Sequence, residues 1–163
     1  MNLMSKLAFA VATGGYIGRM PFAPGTFGSI PGLLLYYAMS RLSGLLAAFV
    51  LAAVIAVAVW SSDRAEVIME EKDPGAVVID EIAGMGVVFA GLPFSWPMAA
   101  AGFILFRCVD IIKPFPVKWL EARLPGGAGV VADDLAAGLI CRILLAVAGV
   151  VLAALSKTAG PGI

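Results

Sequence analysis

The sequence predicts an all-α protein, a compact multi-helix membrane bundle with short, broken helices, on three observations. Apolar residues make up 61% of the 163 residues and charged ones 13%, against roughly 45–50% and about 25% in soluble domains; mean hydropathy is +1.01. The 11 basic and 11 acidic residues cancel but are segregated: seven charges fall within residues 61–73 and six within 107–123. The uncharged stretches between them (20–40, 42–62, 82–106 and 143–156) lack the alternation at every second residue that a membrane β-barrel requires.

Each segment can be assigned in order. Residues 1–15 carry one lysine and a short apolar run; they read as part of the mature chain, an interfacial or buried helix, because Arg19 and a Pro/Gly-rich loop follow. Stretches 20–40 and 42–62 each reach the roughly 20 residues of a membrane span and are expected to form a hairpin turning near Arg41 and Ser43-Gly44. Gly91, Pro93, Ser95 and Pro97 break the third stretch into helices over about 80–90 and 97–112. The first, roughly 16 Å long, cannot cross a core of about 30 Å. Residues 116–123 read as a short amphipathic surface helix anchored by Trp119. The last helix covers about 133–155, preceded by a mobile loop with Gly126, Gly127 and Gly129. One domain over 1–163 accounts for this length.

Composition excludes a disordered chain, a disulfide-stapled secreted module and a basic nucleic-acid binder, so no nucleic-acid partner is expected. The absence of histidine removes imidazole bases, phosphohistidine and His-ligated zinc. Cys108 and Cys141 lack a CxxC spacing and read as inert packing.

Polar residues concentrate in four motifs. PFAPGTFGSIPG (21–32) is either a helix-entry loop, with Thr26 or Ser29 capping a helix begun by Pro31, or an anion cradle built from backbone N–H groups. VVIDEIAG places Asp80 and Glu81 at a helix start; adjacent carboxylates there either complement the dipole or hold a hard cation such as Mg²⁺. In FRCVDIIKPFP, Arg107, Asp110 and Lys113 are spaced by three along one side of a helix, as a structural ion pair or as a phosphate site with its counter-cation. In GGAGVVADDLAAG, Asp133 and Asp134 open the last helix; capping explains one carboxylate and not both. Arg142, two turns further on, reads as a buried counter-charge.

Threading the chain through a membrane puts Lys6, Arg19, Arg64, Lys72, Arg107, Lys113, Lys118 and Arg123 inside and Arg41 and Lys157 outside. That agrees with the positive-inside bias and gathers all four motifs on the cytoplasmic side. Carboxylates without histidine suit Mg²⁺-assisted displacement at phosphorus.

At APGTFGS, VVIDEIAG, GFILFRCVDIIKPFP and GGAGVVADDLAAG, in this order over residues 23–138, the sequence resembles the phosphatidylglycerophosphatase A family of bacterial membrane phosphatases. The resemblance implies an all-helical, Mg²⁺-dependent enzyme at the cytoplasmic face of the inner membrane. It would hydrolyse phosphatidylglycerol phosphate, a membrane phospholipid, to phosphatidylglycerol in the second step of that lipid's synthesis. Carried over, the acidic motif positions are Asp80, Glu81, Asp110, Asp133 and Asp134, and the basic ones are Arg107 and Lys113. From their chemistry, Asp80, Glu81, Asp133 and Asp134 are the expected metal ligands. Asp80, Glu81, Asp110 and Asp134 are the expected catalytic acids, with Asp110 either orienting Arg107 or joining the metal shell. Arg107 and Lys113, with Thr26 and Ser29, are the expected phosphate cradle. The competing reading is an ion-coupled transporter with acids beside broken helices. Composition gives no expectation of oligomeric state.

Overall fold

The computed structural model describes residues 2–158; the side chains of residues 121, 122, 157 and 158 lie outside the described set, and with them the outward placement expected for Lys157. Among the described residues all regular structure is helical: α1 (Leu3–Ala12), α2 (Pro24–Met39), α3 (Gly44–Met69), α4 (Ile79–Val88), α5 (Trp96–Ile112), α6 (Val117–Arg123) and α7 (Gly126–Thr158). α3 and residues Gly126–Ser156 of α7 are long and apolar enough to cross a membrane.

Helix α4 is the centre of the bundle. It is ten residues long, about 15 Å by helical rise, and is packed by α2, α3, α5 and α7. Seven of its ten residues are buried, the acids Asp80 and Glu81 among them. Its far end is held by a stack of Tyr36 on Phe89, with ring centroids 4.0 Å apart, and by the Tyr36 hydroxyl donating to the Pro93 carbonyl. Phe106, Met85, Val88, Ala137 and Cys141 complete this core. Cys141 is thus packing, as expected, whereas Cys108 is exposed on α5.

Two helix starts differ from the sequence expectation. α2 begins at Pro24, and Pro31 lies inside it. Pro24 supplies the fixed φ that suits the first helical turn, and Ala23 turns the chain in with a left-handed φ of 45°. Thr26 and Ser29 therefore sit within the helix and cap nothing; the Ser29 hydroxyl bonds back to the Gly25 carbonyl at 2.7 Å.

α7 begins at Gly126, seven residues before Asp133, so the expected mobile glycine loop is helix. The physical reason is close packing. A Cβ on Gly127 would stand 2.1 Å from the Val59 carbonyl oxygen of α3, and one on Gly138 would stand 2.4 Å from the Gly84 carbonyl oxygen of α4. These glycines are helix-contact points rather than hinges. In lipid, burial exchanges one hydrocarbon for another, so such small-residue contacts supply much of the association.

Arg142 is also reassigned. It is half-buried, and its Nε donates to the Ala90 carbonyl at 3.1 Å. It serves a carbonyl just past the end of α4, where a cation also complements the helix dipole, and not a carboxylate.

Alanine is ordinarily favoured over glycine by about 1 kcal/mol inside a helix. At Gly138 the sign reverses: Gly138→Ala is expected to destabilise by about 1–3 kcal/mol through overpacking. Gly149→Ala, where a Cβ meets nothing within 4 Å, leaves stability unchanged or raises it. Thermal unfolding of the two variants in detergent measures the difference.

Candidate functional site

One end of the bundle gathers the polar motifs. The start of α2, the start of α4, the end of α5 and the third turn of α7 converge there, joined by the 70–78 connection with its Asp73-Pro74-Gly75 turn. The 70–78 connection, α4, α5 and α7 enclose an open pocket of about 280 Å³ lined by Asp73, Asp80, Glu81, Asp110, Lys113, Asp133 and Asp134, with Pro74, Gly75, Val77 and Ile111; the start of α2 packs behind it.

Three carboxylates meet inside it. Asp80, Glu81 and Asp134 each present an oxygen within 4.8 Å of the others, and all three residues are buried. The Asp80 and Glu81 pair can converge because the Asp80 carboxylate folds back to accept the Glu81 amide at 3.0 Å. Asp133 does the same for Asp134, also at 3.0 Å. Glu81 Oε2 is buried with no hydrogen-bond partner. An orphaned carboxylate oxygen beside two further acids fits a hard divalent cation, which takes oxygen ligands.

Two of the remaining acids, Asp133 and Asp110, pair with the cations. Asp133 accepts from Lys113 Nζ at 2.8 Å. Asp110 accepts from Arg107 Nη1 at 2.7 Å, with Glu81 3.8 Å from the same nitrogen. Asp110 bonds Arg107 and also lines the pocket.

Lys113 and Arg107 are not equivalent. Lys113 lines the pocket, at the left-handed end of α5. Arg107 sits one layer back, behind Glu81 and Asp110, where Nη1 also donates to Ser29 Oγ at 3.4 Å and Nε is buried without a partner. Gly25 is pressed against this pair: a Cβ there would stand 2.3 Å from Glu81 Oε1 and about 3.1 Å from the guanidinium. Ser29 reaches the carboxylates only through Arg107. Thr26 is half-buried on the same turn and lies outside the hydrogen-bonded set.

Sequence reasoning treated Asp73 only as part of a charge run, yet it lines the pocket and has a φ of 49°. The readable signal was the Asp-Pro-Gly turn lying just before VVIDE.

Burial pushes Asp80 up to about 7, with Asp133 and Asp73 adding to the rise against the lowering by its bonds to Glu81. Burial also raises Glu81 well above the usual carboxylate range, helped by Asp80 and Asp110 and opposed by Arg107. Each neutral form is thereby favoured unless a cation is bound.

This has a stability consequence with a definite sign. An acid whose folded pKa exceeds its unfolded value contributes stability below the unfolded value, and that contribution is lost as pH rises through the folded one. In chelator, the melting temperature is expected to fall as pH rises from about 4 through about 7, where Asp80 titrates, with Glu81 extending the fall upward. A divalent cation should remove that slope, and Asp80→Asn should flatten it without metal.

Similarity to known proteins agrees with this geometry. The family described as Phosphatidylglycerophosphatase A matches residues 10–149. Phosphatidylglycerophosphatase A of Escherichia coli is 34% identical over 87% of this chain and 83% of its own length. The protein of the same name from Haemophilus influenzae is 32% identical over 83% and 84%. A Bacteroides thetaiotaomicron protein named "Putative phosphatidylinositol-3-phosphatase" is 35% identical over 91% and 97%. No solved structure matches the chain. With most of its length matched by the family and by these relatives, the chain belongs to the phosphatidylglycerophosphatase A family.

Proposed function

We propose that this chain is a Mg²⁺-dependent lipid phosphatase that hydrolyses phosphatidylglycerol phosphate to phosphatidylglycerol and phosphate. It would act at the cytoplasmic face of a bacterial inner membrane, within phosphatidylglycerol synthesis. The observation that carries this reading is the buried trio of Asp80, Glu81 and Asp134 beside Lys113 in one pocket. Family membership supports phosphatase chemistry over ion-coupled transport, and the names of two relatives support the substrate.

Asp80, Glu81 and Asp134 would hold the ion, with Asp133 close by but engaged to Lys113. When bound, Mg²⁺ supplies charge neutralisation and Lewis-acid polarisation at the phosphoryl group. The chain's own residues do the rest. Lys113, in the pocket wall, takes the negative charge of the phosphate and is kept in place by Asp133. Arg107, tied to Asp110 and Ser29, fixes Glu81 and Asp110 and offsets their charge; it is a positioning residue in this account. Water attacks phosphorus and the ester bond to the lipid glycerol breaks. A carboxylate of the cluster receives the water's proton, and the departing alkoxide is protonated from solvent.

The test is release of inorganic phosphate by purified protein from phosphatidylglycerol phosphate, phosphatidic acid and phosphatidylinositol 3-phosphate, with and without Mg²⁺. Phosphatidylglycerol phosphate should be preferred and chelator should stop release. Asp80→Asn and Asp134→Asn should each cut turnover by at least about 100-fold, the upper end of what loss of a supporting metal-site contact costs, while the protein stays folded. Lys113→Met should raise KM more than it lowers kcat, and Arg107→Lys should do the reverse, because a lysine cannot place a planar guanidinium whose Nη1 serves Asp110, Glu81 and Ser29 together. Near-normal turnover in both Asp→Asn variants would sink the reading.

A further inference from the structure

Beyond the pocket, the end of α5 and the segment that follows form an exposed apolar edge. Ile111 lines the carboxylate pocket, yet it is 71% exposed. Ile112 and Phe115 continue outward at 73% and 82% exposed, and Trp119 on α6 follows. This is a row of large apolar side chains beginning at the pocket wall. Two basic residues flank it: Lys118 is exposed, and the Arg123 guanidinium lies over the Trp119 ring at 5.3 Å. α6 is anchored beneath by Val117, fully buried in the main core, so the edge is held against the bundle at this point.

We propose that this edge, from Ile111 to Arg123, is a membrane-embedded lip that seats in an anionic lipid interface and passes lipid headgroups sideways into the carboxylate pocket. Tryptophan with flanking arginine and lysine is the composition that settles at headgroup level. The anionic surface is favoured by Lys118 and Arg123, and continuity with the pocket comes through Ile111, which belongs to both. The lip governs capture of the lipid and not the chemical step. Its role in catalysis rests on the lipid-phosphatase reading; its seat in the interface is measured independently.

The experiment uses full-length protein in phosphatidylcholine–phosphatidylglycerol vesicles. Trp60→Phe with Trp96→Phe leaves Trp119 as the remaining tryptophan of the three. Its emission should be lost to phospholipids brominated high in the acyl chain and little affected by aqueous iodide. Quenching by iodide with none by brominated lipid would overturn the lip. So would protection from both, which marks a face covered by protein. In mixed micelles, Phe115→Ser should raise the interfacial KM roughly tenfold, the scale of transferring one large apolar side chain, with kcat unchanged. An unchanged KM contradicts the capture role. Bromine quenching without phosphate release from any lipid would instead remove the phosphatase reading and leave the membrane seat standing.

Discussion

The structure depends on confining like charges. Asp80, Glu81 and Asp134 are held with oxygens within 4.8 Å of one another, in a site where all three are buried. Two unit charges about 4 Å apart repel by about 4 kcal/mol at an effective dielectric of 20, so the trio cannot ionise together without compensation. Arg107 gives part of it to Glu81 at 3.8 Å while making its shorter contact with Asp110, and Lys113 bonds Asp133 at 2.8 Å. The protein therefore presents a site that either holds protons or holds a cation. The surrounding helices are arranged to enforce that choice: α4 carries two of the acids, and α7 is brought against it at Gly138 and Gly84.

Position along α4 explains why the site is rigid. A ten-residue helix inside a bundle ends with unsatisfied carbonyls in an apolar setting. Arg142 caps the chain just past that end, at the Ala90 carbonyl, and Tyr36 answers the Pro93 carbonyl in the turn beyond. Fixing the far end of α4 fixes its near end, so Asp80 and Glu81 keep their register against Asp134. The charge that reads from sequence like a partner for the carboxylates sits instead at the opposite end of α4.

Much of this was legible in the residues. The helical class, the break near Gly91 and Pro93, the short α4 and the amphipathic α6 followed from hydropathy, turn residues and the positions of charge. The acids gathered in the pocket were visible as two adjacent pairs, although Asp133 and Asp134 lie in the third turn of α7 and not at its start. What the sequence did not convey was contact. Glycine reads locally as freedom, so Gly126, Gly127 and Gly129 looked like a loop until α3 stood against Gly127. Pro31 looked like a helix start because the stronger signal, Pro24 after a left-handed Ala23, depends on backbone geometry. The division of cations is likewise spatial: Arg107 and Lys113 share one helix face in sequence terms, yet one lies behind the carboxylates and the other in the pocket wall.

The central claim is that the three buried carboxylates are a cation site. Its most direct measurement is anomalous diffraction, at the manganese edge, from crystals of the protein grown with Mn²⁺ as a stand-in for Mg²⁺. The account predicts an anomalous peak among Asp80, Glu81 and Asp134 that disappears in Asp134→Asn crystals. A well-ordered trio with no peak between its oxygens, or a peak that survives the substitution, would contradict it.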